Sequence, residues 1–115
     1  MNIQCTVEKL KNALTLADKM TGKNATLPIL HALYLEASGK TLKIRATNLA
    51  VGVEIEVPAT VAQEGIVVIK GDVLLSVCNN LPVTETIALT LDHENVTIQS
   101  QKTTTIVKAL PSEDF

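Results

Sequence analysis

The chain has 115 residues, a length that suits one domain and allows roughly two thirds of the unfolded surface to be buried on folding. Hydrophobic residues make up 46% of it, but Tyr34 and Phe115 are the only aromatic residues, so the core must be aliphatic. Ten basic and twelve acidic residues leave a formal net charge of −2, which excludes long-range attraction to a polyanion and leaves only local contacts with nucleic acid.

The lack of targeting signals and the two cysteines indicate the cellular compartment of the protein. No apolar run approaches the roughly 20 residues that a membrane-spanning helix needs, and the N-terminus lacks the pattern of a signal peptide. We therefore expect a cytoplasmic protein without membrane contact. Cys5 and Cys78 have no secretory context and no Cys/His cluster around them, which predicts two buried free thiols. No metal site or cofactor is expected.

The first half of the chain predicts a strand, a helix and three strands. Residues 2–7 alternate polar and apolar side chains, which is typical of a strand with one solvated face. Apolar residues then recur at helical spacing, with Thr6 as the predicted helix start, Gly22 as its end, and a structured connection at 26–30. An antiparallel meander follows at 31–37, 41–47 and 51–57.

The second half of the chain again predicts a strand, a helix and three strands, after a polar linker that runs through Glu64. A β-branched run at 66–69 predicts a strand that is buried on both faces or pairs across an interface. A second helix is then predicted, with Asp72 as its N-cap and Pro82 closing the segment. Three further strands are predicted at 86–91, 95–99 and 103–110.

The repeated order predicts the fold class. Two halves, at about 1–58 and 65–111, each read as strand, helix and three strands. We expect one α+β domain over 1–115 in which a pseudo-twofold axis relates the halves and both helices cover one face of antiparallel sheets. The sheet edges would stay free to join neighbouring domains unless charges block them.

Four segments in this order resemble those of a known family. They are 26–30 (Thr-Leu-Pro-Ile-Leu), 42–49 (Leu-Lys-Ile-Arg-Ala-Thr-Asn-Leu), 78–82 (Cys-Asn-Asn-Leu-Pro) and 110–115 (Leu-Pro-Ser-Glu-Asp-Phe). Within the doubled pattern, they make the chain resemble the N-terminal of the three domains of the bacterial β sliding clamp, the DNA polymerase III beta subunit.

The resemblance implies the DNA clamp fold and a non-catalytic role as a processivity factor in DNA replication. In the family, two three-domain chains form a head-to-tail homodimer, a ring around duplex DNA with helices lining the hole and sheets outside. The resemblance also implies that this chain is one domain of three. The pocket for the replicative polymerase and the clamp loader would lie in the other two.

A sliding ring needs weak, sequence-blind phosphate contacts, for which a few lysines on the inner helices suffice. The polar face of the first helix offers Lys9 and Lys19, although an ordinary solvated helix face would carry them equally well. The resemblance implies a DNA-contacting arginine just before 26–30, where this chain has Lys23 and Asn24. A lysine keeps the charge of an arginine but not its planar fork, which predicts a looser contact.

The resemblance implies a second basic position at the start of the second helix. This chain has Asp72 there, and Lys70 is the nearest substitute. These departures predict weak DNA affinity for the isolated domain.

The last predicted strand resembles the family's edge strand that pairs with the third domain of the other subunit. Thr105 and Val107 share one face of it, and we predict that they form the subunit interface together with Leu74 and Cys78 of the second helix. The alternative is an ordinary edge strand protected by Lys108.

Two other functions stay open at this point. An assembly module would use the same sheet edges without binding DNA, which the acidic balance and the missing arginine favour. A metal-dependent nuclease would need carboxylates such as Asp92, Glu94 and Asp72 around its metal ions, but 92–95 has the composition of a hairpin turn. Ser76 and Cys78 have no local histidine to activate them as nucleophiles.

Overall fold

The computed structural model describes residues 1–20, 32–47 and 52–110. These residues form nine strands and two helices. In chain order the elements are β1 (Asn2–Thr6), α1 (Val7–Met20), β2 (Ala32–Ser38), β3 (Thr41–Thr47), β4 (Gly52–Pro58), β5 (Thr60–Gln63), β6 (Gly65–Lys70), α2 (Gly71–Asn79), β7 (Thr86–Asp92), β8 (Asn95–Gln99) and β9 (Thr104–Lys108). The predicted connection at 26–30 and the helix stop at Gly22 lie outside the described residues.

The strands form two antiparallel sheets, one in the order β5-β1-β7-β8-β9 and the other in the order β4-β3-β2-β6. Each sheet joins the first strand of one half to the meander of the other, because β1 pairs with β7 and β6 pairs with β2. The predicted α+β class with antiparallel sheets is therefore confirmed, and the two halves exchange their first strands.

One strand was not predicted. The stretch that follows Pro58 was interpreted as a polar linker, but Thr60–Gln63 forms β5 and pairs with β1 through Ile3↔Val61. Three of its four side chains are exposed. Backbone pairing with β1 makes this segment a strand, and Val61 is its only half-buried side chain, packed against the core. One apolar position in four residues does not show the alternation by which a strand is predicted.

Helix α1 begins as predicted, after Thr6. The Lys9 backbone N–H donates to Thr6 Oγ1 at 3.4 Å, which satisfies one of the free donors at the helix start. Spacings of three and four place the apolar residues on one side, which contacts α2, β3 and β4. The buried residues of this side are Val7, Leu10, Ala13, Leu14 and Ala17.

Helix α2 begins earlier than predicted. Lys70 occupies the N-cap position and makes no side-chain cap hydrogen bond, so Asp72 is not the N-cap. Asp72 lies in the first turn, where its Oδ1 accepts a hydrogen bond of 2.9 Å from the Val73 N–H. A carboxylate at this position still stabilises the helix, because it faces the positive end of the helix dipole.

The core is aliphatic, as the composition predicted. A single cluster of buried side chains draws members from both sheets and both helices. Cys5 and Cys78 belong to it and are free thiols, which confirms the prediction for both.

No described helix is long and apolar enough to cross a membrane. The largest completely buried side chains include Ile3, Leu10, Leu14, Leu35, Leu42, Ile44, Ile69, Leu74, Ile87, Leu89 and Ile98.

Candidate functional site: the exposed side of α1 and two sheet edges

The exposed side of α1 carries two of the predicted DNA contacts, Lys9 and Lys19. Both are exposed and lie away from the buried stripe of the helix. Ten positions separate them, which corresponds to about 15 Å along the helix axis. Neither lysine forms a salt bridge with another described residue. The two predicted contacts are therefore well separated along α1, and the third lysine of the helix, Lys11, is half-buried.

The charges on α1 also stabilise the helix itself. Glu8 lies in the first turn and Lys19 in the last, so each charge is opposite in sign to the partial charge of the helix end beside it. Leu16, on the same surface, is 50% exposed. An exposed lysine that stabilises a helix end can also contact a phosphate, so the two roles are compatible.

A polar cleft at the start of α1 places a further lysine, Lys40, beside Lys9, which the sequence alone did not indicate. Lys9 and Lys40 both line it, together with hydroxyl-bearing residues from three other segments, Thr6, Thr60 and Thr86. Lys40 belongs to the turn between β2 and β3. Folding brings these segments together from distant parts of the chain, which no local sequence pattern reports.

The other predicted DNA contacts are less closely grouped. Lys70 is exposed at the end of β6 and lines a groove that also includes His93 and Lys108, rather than the cleft beside Lys9. Lys23 and Asn24 lie outside the described residues. The structure thus places Lys9 and Lys19 on one helix and Lys70 in a different groove.

Strand β9 forms one free sheet edge. It is the terminal strand of its sheet, with one side paired to β8 and the other unpaired within the described residues. Thr105 and Val107 are half-buried and lie opposite the buried Ile98 and Val96 of β8, whereas Ile106 points to the other face and is 65% exposed. An unpaired strand of this kind offers its backbone groups to an incoming strand.

Strand β4 forms a second free edge, with acidic side chains. It is the terminal strand of the other sheet, and Glu54 and Glu56 are exposed on its outer face. Arg45 Nε donates to Glu54 Oε2 at 2.8 Å, and Arg45 Nη2 lies 3.6 Å from Glu36 Oε1. The hydrogen bond to Glu54 raises the pKa of the Arg45 guanidinium. Arg45 also lies 5.2 Å from the centre of the Tyr34 ring.

Comparison with known proteins identifies the family. The model of the family described as "DNA polymerase III beta subunit, N-terminal domain" matches residues 1–115. The chain belongs to this family.

Named relatives of this beta-subunit domain agree with the assignment. The Beta sliding clamp of Treponema pallidum is 31% identical over 100% of this chain and 31% of its own length. The Beta sliding clamp of Escherichia coli K12 is 30% identical over 82% of this chain and 26% of its own length. The structure of Caulobacter crescentus pol III beta superposes with a TM-score of 0.94 at 25% identity, covering 100% of this chain and 31% of that one. The chain thus spans under a third of the length of these relatives.

Two predicted interface residues of this beta-subunit domain are corrected by the structure. Leu74 and Cys78 are each 0% exposed and pack into the domain's own core, so they offer no side-chain surface to a second subunit. Burial raises the pKa of the Cys5 thiol to about 12 and that of Cys78 to about 11. Both thiols are therefore neutral at physiological pH.

The carboxylates considered for a nuclease lie at two separate places in this clamp-family fold. Asp92 and Glu94 belong to the exposed turn between β7 and β8, and Asp72 lies in the first turn of α2. Asp92 Oδ1 is 3.6 Å from His93 Nε2 in that turn. Within 1–20, 32–47 and 52–110, no group of three or more His, Cys, Asp or Glu side chains is placed to hold a metal ion.

Proposed function

We propose that this chain is a ring-forming domain of a DNA sliding clamp, a non-catalytic processivity factor that helps to tether the replicative DNA polymerase to duplex DNA. The observation that carries the proposal is the match of the whole chain, in sequence and in fold, to the N-terminal domain of the DNA polymerase III beta subunit. In the full-length protein, closure of the ring rather than contact energy would hold the clamp on DNA. Such a protein would work in the cytoplasm, where bacterial DNA is replicated.

The sparse cations of α1 suit a protein that slides. Each phosphate contact by a lysine releases counterions and strengthens binding, so many contacts would hold the ring in place on DNA. Lys9 and Lys19, about 15 Å apart along the axis of α1, give two weak contacts that do not depend on base sequence. Lys23, Asn24 and Lys70 complete the proposed set, with Asn24 as a neutral donor.

The free edge of β9 suits a contact with a second subunit. We assign Thr105 and Val107 to that contact, because both are half-buried at an unpaired strand and would become fully buried beside a neighbouring strand. A homodimeric ring would form only in the full-length protein. Polymerase and clamp loader would bind domains beyond the matched region.

A chimeric ring tests the clamp function. This chain would replace the matching N-terminal region of the Treponema pallidum clamp, and the chimera would be loaded onto nicked circular DNA by the cognate clamp loader. We expect the chimera to stay bound in high salt and to be lost once the DNA is linearised, because it is then free to slide off the ends. A dimeric chimera that leaves circular and linear DNA equally fast would contradict the proposed function.

Lysine variants of the same chimera test the DNA-facing surface. DNA affinity would be measured over a range of salt concentrations and plotted as log affinity against log salt. We expect the Lys9→Gln, Lys19→Gln double variant to have a shallower slope, by about 0.9 for each phosphate that it no longer neutralises. Lys43→Gln is the matched control, because Lys43 lies opposite Glu36 and Glu56 on the outer face of its sheet. An unchanged slope in the double variant would favour the alternative of an assembly module whose helices do not meet DNA.

A further inference from the structure

The polar cleft beside the start of α1 is built from segments that are far apart in the chain. The end of β1 and the first turn of α1 meet there with the β2–β3 turn, the β4–β5 connection and the first residue of β7. The polar side chains that line the cleft are those of Gln4, Thr6, Lys9, Lys40, Thr60 and Thr86.

The two lysines give the cleft its charge. Lys9 lies in the first turn of α1 and Lys40 in the β2–β3 turn, and both are exposed. Neither forms a salt bridge with any residue that the structure describes. None of the described residues that line the cleft is an aspartate or a glutamate. The cleft therefore brings two positive charges to one place in a chain whose formal net charge is −2.

The turn that carries Lys40 is fixed from two sides. The Lys40 carbonyl accepts a hydrogen bond of 3.0 Å from the Ala59 N–H. The Glu64 carboxylate Oε2 accepts one of 2.9 Å from the Gly39 N–H and one of 3.3 Å from the Ser38 hydroxyl. The carboxylate closest to this turn thus stabilises its backbone and does not pair with the Lys40 ammonium group. As a result, the backbone of Lys40 is positioned while its charge stays available to a ligand.

Neutral hydrogen-bond donors lie next to the two lysines. Gln4 and Thr6 are exposed and alternate with the buried residues of β1, so they lie on the solvent face of its sheet. Thr60 pairs with Gln4 and Thr86 with Thr6, which puts all four side chains on that face. Thr6 Oγ1 accepts the Lys9 N–H at 3.4 Å, and this leaves the hydroxyl hydrogen of Thr6 to donate.

We infer that this cleft binds a phosphate group, which the ammonium groups of Lys9 and Lys40 hold by charge and the neighbouring hydroxyl groups hold by hydrogen bonds. A phosphate carries more than one negative charge near neutral pH and has several acceptor oxygens, so it matches two cations surrounded by donors. The backbone of duplex DNA and a free phosphate compound both present this chemistry. The site goes beyond the proposed function, in which Lys40 has no role, and only its DNA source rests on that function.

A phosphate titration of the 115-residue chain tests the cleft. NMR would follow the amide resonances of isotope-labelled protein at neutral pH while sodium phosphate replaces sodium chloride at constant ionic strength. We expect the resonances of Thr6, Lys9 and Lys40 to move together and to saturate with a single dissociation constant. Lys40→Gln should weaken binding about fivefold, as the loss of one exposed ion pair can do, and Lys40→Arg should retain it.

Lys102→Gln is the matched control for the loss of one positive charge. Lys102 is exposed in the turn between β8 and β9, forms no salt bridge with a described residue and does not line the cleft. This variant should bind phosphate as tightly as the wild type does.

A short DNA duplex distinguishes the two sources. It would be added at low salt to the same labelled protein in place of sodium phosphate. If the DNA backbone is the source, the duplex should move the same resonances, and Lys40→Gln should weaken duplex binding as well. If the duplex leaves these resonances unmoved while sodium phosphate saturates them, the source is a free phosphate compound.

The other outcomes overturn the inference. Shifts that never saturate, or that spread evenly over the exposed lysines, would show a general ionic effect and no site. A folded Lys40→Gln variant that binds phosphate as tightly as the wild type would remove Lys40 from the site. If this variant fails to fold, the wild-type titration still decides, because its own resonances locate the ligand. Retention of the chimeric ring on DNA is a separate readout, so failure here leaves the proposed function standing.

Discussion

Burial controls the chemistry of the two thiols, Cys5 and Cys78. Both lie in the core, with 4% and 0% of their surface exposed. Removal from water disfavours the thiolate, and for Cys5 the nearby Cys78 raises the pKa further. For Cys78 the desolvation is partly offset by the charge of Lys11. These cysteines therefore act as small apolar core residues and not as nucleophiles.

The raised thiol pKa values predict a loss of stability in alkali. Between the ordinary value of 9.0 and the folded values of about 12 and about 11, the folded state holds thiol protons that the unfolded state has lost. Stability is therefore intact below pH 9 and falls as the pH rises above it. We expect about 3 kcal/mol less free energy of unfolding at pH 10 than at pH 8, measured by urea titration. The Cys5→Ala, Cys78→Ala double variant should lose clearly less over this interval; an equal loss would assign the effect to other groups.

Among the secondary-structure elements, the two central hairpins show how turn chemistry sets strand register. Gly39 and His93 are each the first residue of a two-residue loop, as the closing pairs Ser38↔Thr41 and Asp92↔Asn95 show. Both have positive φ, 64° for Gly39 and 57° for His93, the conformation that a type II′ hairpin requires at this position. Glycine adopts it without strain, whereas histidine does so at a cost.

Opposite substitutions at these two turns should have opposite effects. Gly39→Ala should lower the free energy of unfolding by about 1 kcal/mol, although no atom lies within 4 Å of the added Cβ, because the backbone conformation disfavours a side chain. His93→Gly should raise it by about 0.5 kcal/mol, since relief of strain exceeds the entropy cost of glycine. The variant also loses the contact between His93 and Asp92, but this contact is exposed and contributes little to the free energy of unfolding. Urea unfolding of both variants checks this, and a destabilised His93→Gly would contradict it.

The helices and eight strands could be predicted because alternation and helical spacing follow directly from burial. β5 could not, because it is only four residues long and Val61 is its only half-buried side chain, which is too little to show alternation. The apolar stripe of α2 was recognised, but spacing alone does not distinguish burial in the domain's own core, where Leu74 and Cys78 lie, from burial against a partner. Lys40 was missed because its cleft exists only after folding.

At the scale of the whole molecule, strand exchange couples the two halves. β1 lies between β5 and β7, and β6 lies beside β2, so each meander is completed by a strand from the other half. Gly65 at the start of β6 also lies close to Met1, where an added Cβ would come within 3.0 Å of the Met1 Cβ. The two halves thus repeat the same order of elements, but they are not independent folding units.

Splitting the chain between Glu64 and Gly65 tests this coupling. Fragment 1–64 lacks the strand that completes β2-β3-β4, and fragment 65–115 lacks the strand that completes β7-β8-β9. Neither fragment alone should unfold cooperatively as a monomer, because each leaves a sheet edge and part of the apolar core exposed. An equimolar mixture should regain the circular dichroism spectrum of the intact chain and sediment as a one-to-one complex. A fragment that formed a self-dimer would still agree with strand exchange, since the halves correspond. A fragment that folds cooperatively as a monomer would show instead that one half supplies its own core.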